Sequence, residues 1–211
     1  CGLLWELARH IDNRTAIAQQ GGIDCLLGTM KTHLANSDLQ YHVCGALWEL
    51  AINNDANRVL IGQKGGIGLV LSVMKALPEA VMVQQKACGL LWELARNEHV
   101  RAAVMQQGGT DCVLSAMNAH FANTATLQYY CCAVLWELAR SNLANQVAIA
   151  RRGAIDLVLL AMKTHVRDAN VQYYACGALW ELSRSVDNRF AIVRREGVVL
   201  ILSAMRLFEH N

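Results

Sequence analysis

The tetrapeptide Leu-Trp-Glu-Leu occurs five times in this chain, with its tryptophans at Trp5, Trp48, Trp92, Trp136 and Trp180. The intervals are 43, 44, 44 and 44 residues, and every tryptophan belongs to the series. A fixed period of roughly 20–50 residues is the signature of a stacked repeat, in which each unit buries its apolar face only against its neighbours. The period therefore restricts the architecture before any other residue is read. It also restricts function, because a stack of this kind usually offers a surface for holding other molecules.

The rest of the composition agrees with a helical stack. Of 211 residues, 54% are hydrophobic and 17% charged, enough to bury a substantial core. Pro78 is the single proline, so helix can run almost throughout. The net charge is +2, and no basic run exceeds the pairs Arg151-Arg152 and Arg194-Arg195. That balance argues against nucleic acid or an acidic membrane as partner. No apolar stretch reaches the ~18–20 residues of a bilayer span, and no signal-peptide pattern is present.

Cys1, Cys44, Cys88, Cys132 and Cys176 share one slot, four residues before each Trp, and Cys25 and Cys112 share a second. Equivalent slots in a stack lie about 10 Å apart, beyond the roughly 7 Å Cα limit for a disulfide. The expectation is small buried thiols in a reducing compartment, the cytoplasm with the nucleus as alternative. No paired Cys-x-x-Cys or His at ligand spacing points to a metal, and nothing points to a cofactor. There is no Ser-His-Asp set and no phosphate-cradling glycine loop. The periodic carboxylates lack the asymmetric surroundings a catalytic pair needs. The chain reads as non-enzymatic.

Alignment on Trp divides each unit into three segments. The first, as in Asn13 to Gln20, ends at a Gly pair (Gly21-Gly22, Gly65-Gly66, Gly108-Gly109, with Gly153-Ala154 and Glu196-Gly197 as cognates), the expected left-handed helix stop. The second, as in Ile23 to Met30, has apolar residues three and four apart and a recurring Met (Met30, Met74, Met117, Met162, Met205), which reads as core filler. His33, His120 and His165 follow it, at a helix end where imidazole meets carbonyl groups favourably. The third and longest, Leu39 to Ala51 in one unit, places Val43, Cys44, Ala46, Leu47, Leu50 and Ala51 on one side. Tyr41, Gly45 and Glu49 fall on the other side, with Trp48 at the border.

This order, a short helix, a Gly turn, a second helix, a loop and a long third helix, resembles the armadillo repeat. The likeness covers the whole chain. It rests on the Gly turns, on Gln at the start of the third segment (Gln40, Gln84, Gln128, Gln172), and on the Ala-Leu-x-x-Leu-Ala pattern at Ala46 to Ala51. The resemblance implies an all-α, right-handed α-solenoid of three-helix repeats forming one domain over 1–211: a partial repeat 1–9, repeats 10–52, 53–96, 97–140 and 141–184, and a partial repeat 185–211. It also implies third helices lining a concave groove for extended peptides. Peptide-binding members offer a Trp and, four residues later, an Asn. Those places are held here by Gly2, Gly45, Gly89, Ala133 and Gly177, and by Glu6, Glu49, Glu93, Glu137 and Glu181. The chain departs from the family pattern by replacing the Asn ladder with carboxylates beside an aromatic row.

The expected partner is accordingly a protein or peptide segment rich in Lys or Arg. Its binding groove is assigned to Trp48, Glu49, Trp92, Glu93, Trp136, Glu137, Trp180 and Glu181, with Tyr129 and Tyr173 enlarging the aromatic surface. Each Glu would accept charge-assisted hydrogen bonds, each Trp a cation, and Gly in the exposed stripe would let the ligand come close. Against this stand Arg9, Arg96, Arg140 and Arg184, placed three residues after a Glu where they pair with it. Ile52 breaks that pattern, so Glu49 is expected to be the least compensated carboxylate. Packing of Trp between repeats is an equal alternative to its exposure.

The second functional class is a structural brick of a larger assembly, joined through its ends with the groove empty. Nucleic-acid binding is the weakest class, given the charge balance. Neither terminus reads as a polar cap. The expectation is either a piece of a longer array or end-to-end self-association.

Overall fold

The computed structural model describes residues 1–209. These form fifteen α-helices and no strand: α1 (Gly2–Ala8), α2 (Ile11–Gln19), α3 (Gly22–Thr32), α4 (Ser37–Ala51), α5 (Asp55–Gln63), α6 (Gly66–Ala76), α7 (Val81–Ala95), α8 (Glu98–Gln106), α9 (Gly109–Ala119), α10 (Ala125–Ala139), α11 (Leu143–Arg151), α12 (Ala154–Thr164), α13 (Ala169–Leu182), α14 (Val186–Arg194) and α15 (Gly197–Leu207). The helices make two compact units, Cys1–Cys112 and Val113 onward, with the boundary inside α9. No single helix among the described residues is long and apolar enough to cross a membrane.

In the first unit the long helices α1, α4 and α7 pack side by side, and α4 and α7 each rest on the preceding α3 and α6. Val43, Cys44, Ala46, Leu47, Leu50 and Ala51 of α4 are all fully buried, as the apolar spacing demands. In the second unit α10 lies against α13, and α13 rests on α12. Leu135 and Leu138 of α10 and Ala178 and Leu182 of α13 have no exposed surface.

The Gly turns act as expected. Gly21, Gly65, Gly108 and Gly153 have φ between +78° and +87°, the left-handed region in which a Cβ is penalised. Glu196 takes the same slot at φ 61°. An L side chain there costs roughly 1–2 kcal/mol.

The recurring Gln has a specific physical role. Gln40 Nε2 donates to Met30 O and His33 O at 2.9 Å each, and Gln172 Nε2 to Met162 O at 2.9 Å and His165 O at 3.1 Å. Gln84 and Gln128 do the same to Met74 and Leu77, and to Met117 and His120. One buried amide thus serves two carbonyls that the second helix leaves open at its end, tying the second helix to the third. The expected histidines sit at that helix end: His33 and His165 are the caps of α3 and α12, and His165 Nε2 lies 2.8 Å from Phe121 O. Asn plays the matching role between repeats. Asn57, Asn145 and Asn188 donate to Leu50 O, Leu138 O and Leu182 O at 2.8–2.9 Å, closing the ends of α4, α10 and α13.

Candidate functional site

The periodic Trp residues stand at the surface of the long helices, and their rings have a definite seat. A Cβ built on Gly45 would lie 2.9 Å from the Trp5 ring, one on Gly89 3.2 Å from Trp48, and one on Gly177 2.4 Å from Trp136. Each indole therefore closes over the small residue of the next long helix. This corrects the expectation that Gly45, Gly89 and Gly177 form an open stripe for a ligand. They are buried, and the space above them belongs to the preceding repeat.

The carboxylates are also drawn inward. Glu93 is buried and accepts from Arg58 at 3.0 Å and Arg96 at 3.2 Å. Glu181, equally buried, accepts from the Ser141 backbone N–H at 3.2 Å and from Gln146 Nε2 at 3.5 Å. Glu49 meets Arg14 at 3.5 Å and Glu137 meets Arg140 at 3.2 Å. The carboxylate ladder expected to face a ligand is thus sealed at Glu93 and Glu181 and engaged at Glu49 and Glu137. Glu49, expected to be the least compensated, has a guanidinium from the first helix of its own repeat.

That guanidinium set is what sequence reasoning missed. Arg14 and Arg58 are the fourth residues of α2 and α5, and each reaches a Glu 35 residues ahead. Arg14 also donates to Ala8 O and Ile52 O at 2.8 Å, bridging the ends of two long helices. Gln146 holds the same place in α11 and reaches Glu181. The signal was available in the recurrence of Arg14, Arg58 and Arg101. It was masked because the nearer Arg at i+3 offered a simpler partner.

The aromatic residues divide by position. Trp48, Trp92 and Trp136 are half-buried, while Trp180 is 56% exposed with the Arg184 guanidinium 5.2 Å from its ring centre. Tyr173 is exposed and meets Trp136 edge-on at 5.7 Å. Tyr129 is half-buried against Tyr130 and Tyr174. Burial pushes its hydroxyl above the ordinary tyrosine value, opposed by a hydrogen bond from Tyr130.

One cation already uses this surface. Lys86 Nζ of α7 lies 4.8 Å from the Trp5 ring centre, 4.9 Å from Trp48 and 5.5 Å from Tyr41. Burial pulls its ammonium below the ordinary lysine value, and the negative charge of Glu49 opposes the shift. Sequence reasoning passed over Lys86, which is a lone residue in a slot filled elsewhere by His42, Tyr130 and Tyr174.

Two solved structures share the all-helical fold. A crystal structure of an engineered protein matches with a TM-score of 0.82 at 21% identity, covering 99% of this chain and 87% of that one. A chain from work on a conserved phosphorylation switch controlling the interaction between cadherin and beta-catenin matches with a TM-score of 0.53 at 15% identity. That match covers 95% of this chain and 45% of the other, so this chain spans less than half of that neighbour. No family model and no curated protein sequence matches.

Proposed function

We propose that the chain is an armadillo-type, right-handed α-solenoid that acts as a non-enzymatic scaffold, holding a basic segment of a protein partner over the aromatic row of its long helices. One observation carries the reading: three rings, Trp5, Tyr41 and Trp48, converge on the single ammonium of Lys86. A cation over an indole gains about 0.5–2 kcal/mol, depending on its desolvation, and the indole recurs along the chain. Repetition adds these contacts on one extended ligand. The fold neighbour from the cadherin and beta-catenin work supports a protein as the partner. In this reading Trp48, Trp92, Trp136, Trp180, Tyr129 and Tyr173 contact the ligand, whereas Glu49, Glu93, Glu137 and Glu181 hold the helices together. The buried, neutral thiols of Cys44 and Cys132 suit a reducing compartment such as the cytoplasm.

Titration with a lysine-rich peptide and its glutamine counterpart tests the reading. Lys86→Ala vacates the three-ring slot and is expected to raise affinity for the lysine peptide several-fold. Trp48→Ala is expected to lower it about ten-fold, with the glutamine peptide indifferent to both. Equal affinity of both variants for the two peptides would end the proposal.

A further inference from the structure

Three rings meet one ammonium inside the first unit, and packing fixes the rings. Trp5 lies on α1, Tyr41 and Trp48 on α4, and Lys86 on the second turn of α7. The Trp5 and Trp48 indoles close over Gly45 and Gly89, and Tyr41 meets Trp5 edge-on at 5.2 Å and 73°. The wall they form has its shape before any ligand arrives, which spares the cost of ordering it. Lys86 Nζ stands 4.8 Å from the centre of Trp5, 4.9 Å from Trp48 and 5.5 Å from Tyr41. A methyl carbon touches an aromatic carbon at about 3.5–4.0 Å and a single C–N bond adds about 1.45 Å, so a methylated nitrogen rests about 5 Å from a ring. The three distances bracket that value, leaving room for a layer of methyl groups between the nitrogen and the rings.

The polar side of the slot agrees. Among the described residues no carbonyl or carboxylate accepts a hydrogen bond from Lys86 Nζ. An ammonium carries three N–H donors, and those that face the rings go without an acceptor. Burial accordingly pulls the Lys86 ammonium below the ordinary lysine value, with the negative charge of Glu49 opposing. A quaternary ammonium has no N–H to satisfy and no proton to lose, so the same surroundings cost it less. Arginine fits less well. Its planar fork stacks on a single face or seeks a carboxylate, whereas rings inclined at 73° enclose a rounded cation.

We infer that Trp5, Tyr41 and Trp48 form a cage for a trimethylated lysine of the protein partner, and that Lys86 is its internal stand-in, displaced when that side chain enters. The inference rests on the proposed function, in which a partner's cation takes this slot, and it names the cation. Lys86 is half-buried on a flexible four-carbon stem, so it can swing out while the rings keep their seats on Gly45 and Gly89. In the other long helices the same slot holds His42, Tyr130 and Tyr174, so Lys86 alone places an ammonium there.

Calorimetric titration of the full chain with peptides alike except for one side chain tests the inference. The side chains are glutamine, lysine, trimethyl-lysine and the uncharged tert-butyl analogue of trimethyl-lysine, which has the same shape. The trimethyl-lysine peptide is expected to bind about ten-fold tighter than the lysine peptide and than the uncharged analogue. Lys86→Ala is expected to tighten the trimethyl-lysine peptide several-fold. Tyr41→Leu and Trp48→Phe are each expected to shrink the preference for trimethyl-lysine over lysine, with circular dichroism checking that the helices are intact. Lysine and trimethyl-lysine peptides bound equally, and both better than glutamine, overturn the inference and leave the proposed function standing. Binding of none of the peptides overturns both. An uncharged analogue bound as tightly as trimethyl-lysine also overturns the inference, because shape and not charge is then read. So does a preference that both Tyr41→Leu and Trp48→Phe leave unchanged, because the cation then sits elsewhere.

Discussion

The Trp136 indole lies so close over Gly177 that a Cβ at position 177 would come within 2.4 Å of its Cε3. The same relation at Gly45 is 2.9 Å and at Gly89 3.2 Å. Alanine stabilises a helix interior by about 0.5–1 kcal/mol relative to glycine, while forcing a methyl into a filled space costs about 1–3 kcal/mol. Gly177→Ala is therefore expected to destabilise, with a visible change in Trp fluorescence, and Gly89→Ala to be near neutral. Urea unfolding of the three variants should rank them Gly177, Gly45, Gly89 in order of loss.

The Arg58–Glu93 pair makes a second prediction. Both side chains are almost completely buried, at 3.0 Å. Removing one partner leaves Glu93 with only the more exposed Arg96, or Arg58 with only the exposed Asp55, at a cost of up to about 3–5 kcal/mol. Glu93→Gln and Arg58→Met are each expected to lose stability on that scale, and the combination less than their sum. Glu49→Gln, at a wetter and longer pair, should lose less. A double-mutant cycle by chemical denaturation measures all of these.

Gln172 offers a third. Replacing it with Leu keeps the bulk but leaves the Met162 and His165 carbonyls without their shared donor. An unsatisfied buried polar group costs about 1–3 kcal/mol. Gln172→Leu is expected to lower stability by that amount, and hydrogen exchange should show the end of α12 loosening first.

The fourth concerns alkaline pH. Burial pushes the Cys44 and Cys132 thiols from 9.0 up to about 12, with neighbouring Cys88 and Cys176 adding to the effect. Above pH 9 the unfolded chain releases these protons while the folded chain retains them. Their contribution is intact below pH 9 and falls as pH rises towards 12, by about 1.4 kcal/mol per pH unit for each thiol. Lys86, whose value is lowered by burial, acts in the opposite sense below 10.5, but it is one group against two. Thermal unfolding is expected at a lower temperature at pH 10.5 than at pH 8. Cys44→Ala with Cys132→Ala should flatten that dependence.

Much of the fold was legible because it is periodic. The Trp interval gave the repeat, the apolar spacing of α4 gave its buried side, and the Gly pairs gave the turns that Gly21, Gly65, Gly108 and Gly153 make. The candidate site was only partly legible. Trp, Glu and Gly recur as a set in the sequence, but an exposed position on a helical wheel is exposed only until the neighbouring repeat is placed. Gly45 lies on the polar side of α4 and is nevertheless buried, because Trp5 of the previous long helix closes over it.

The sequence by itself determined which residues repeat, which helix each belongs to and which side of that helix is apolar, since all three follow from spacing within one element. Only the tertiary structure decided what the repeated groups meet. Arg14 finds Glu49, Lys86 finds Trp5 and Trp48, and the Gln amides find their carbonyls across intervals that no single helix spans. The physical reason is that a periodic pattern fixes directions within a helix, whereas desolvation and charge pairing depend on the distance between helices.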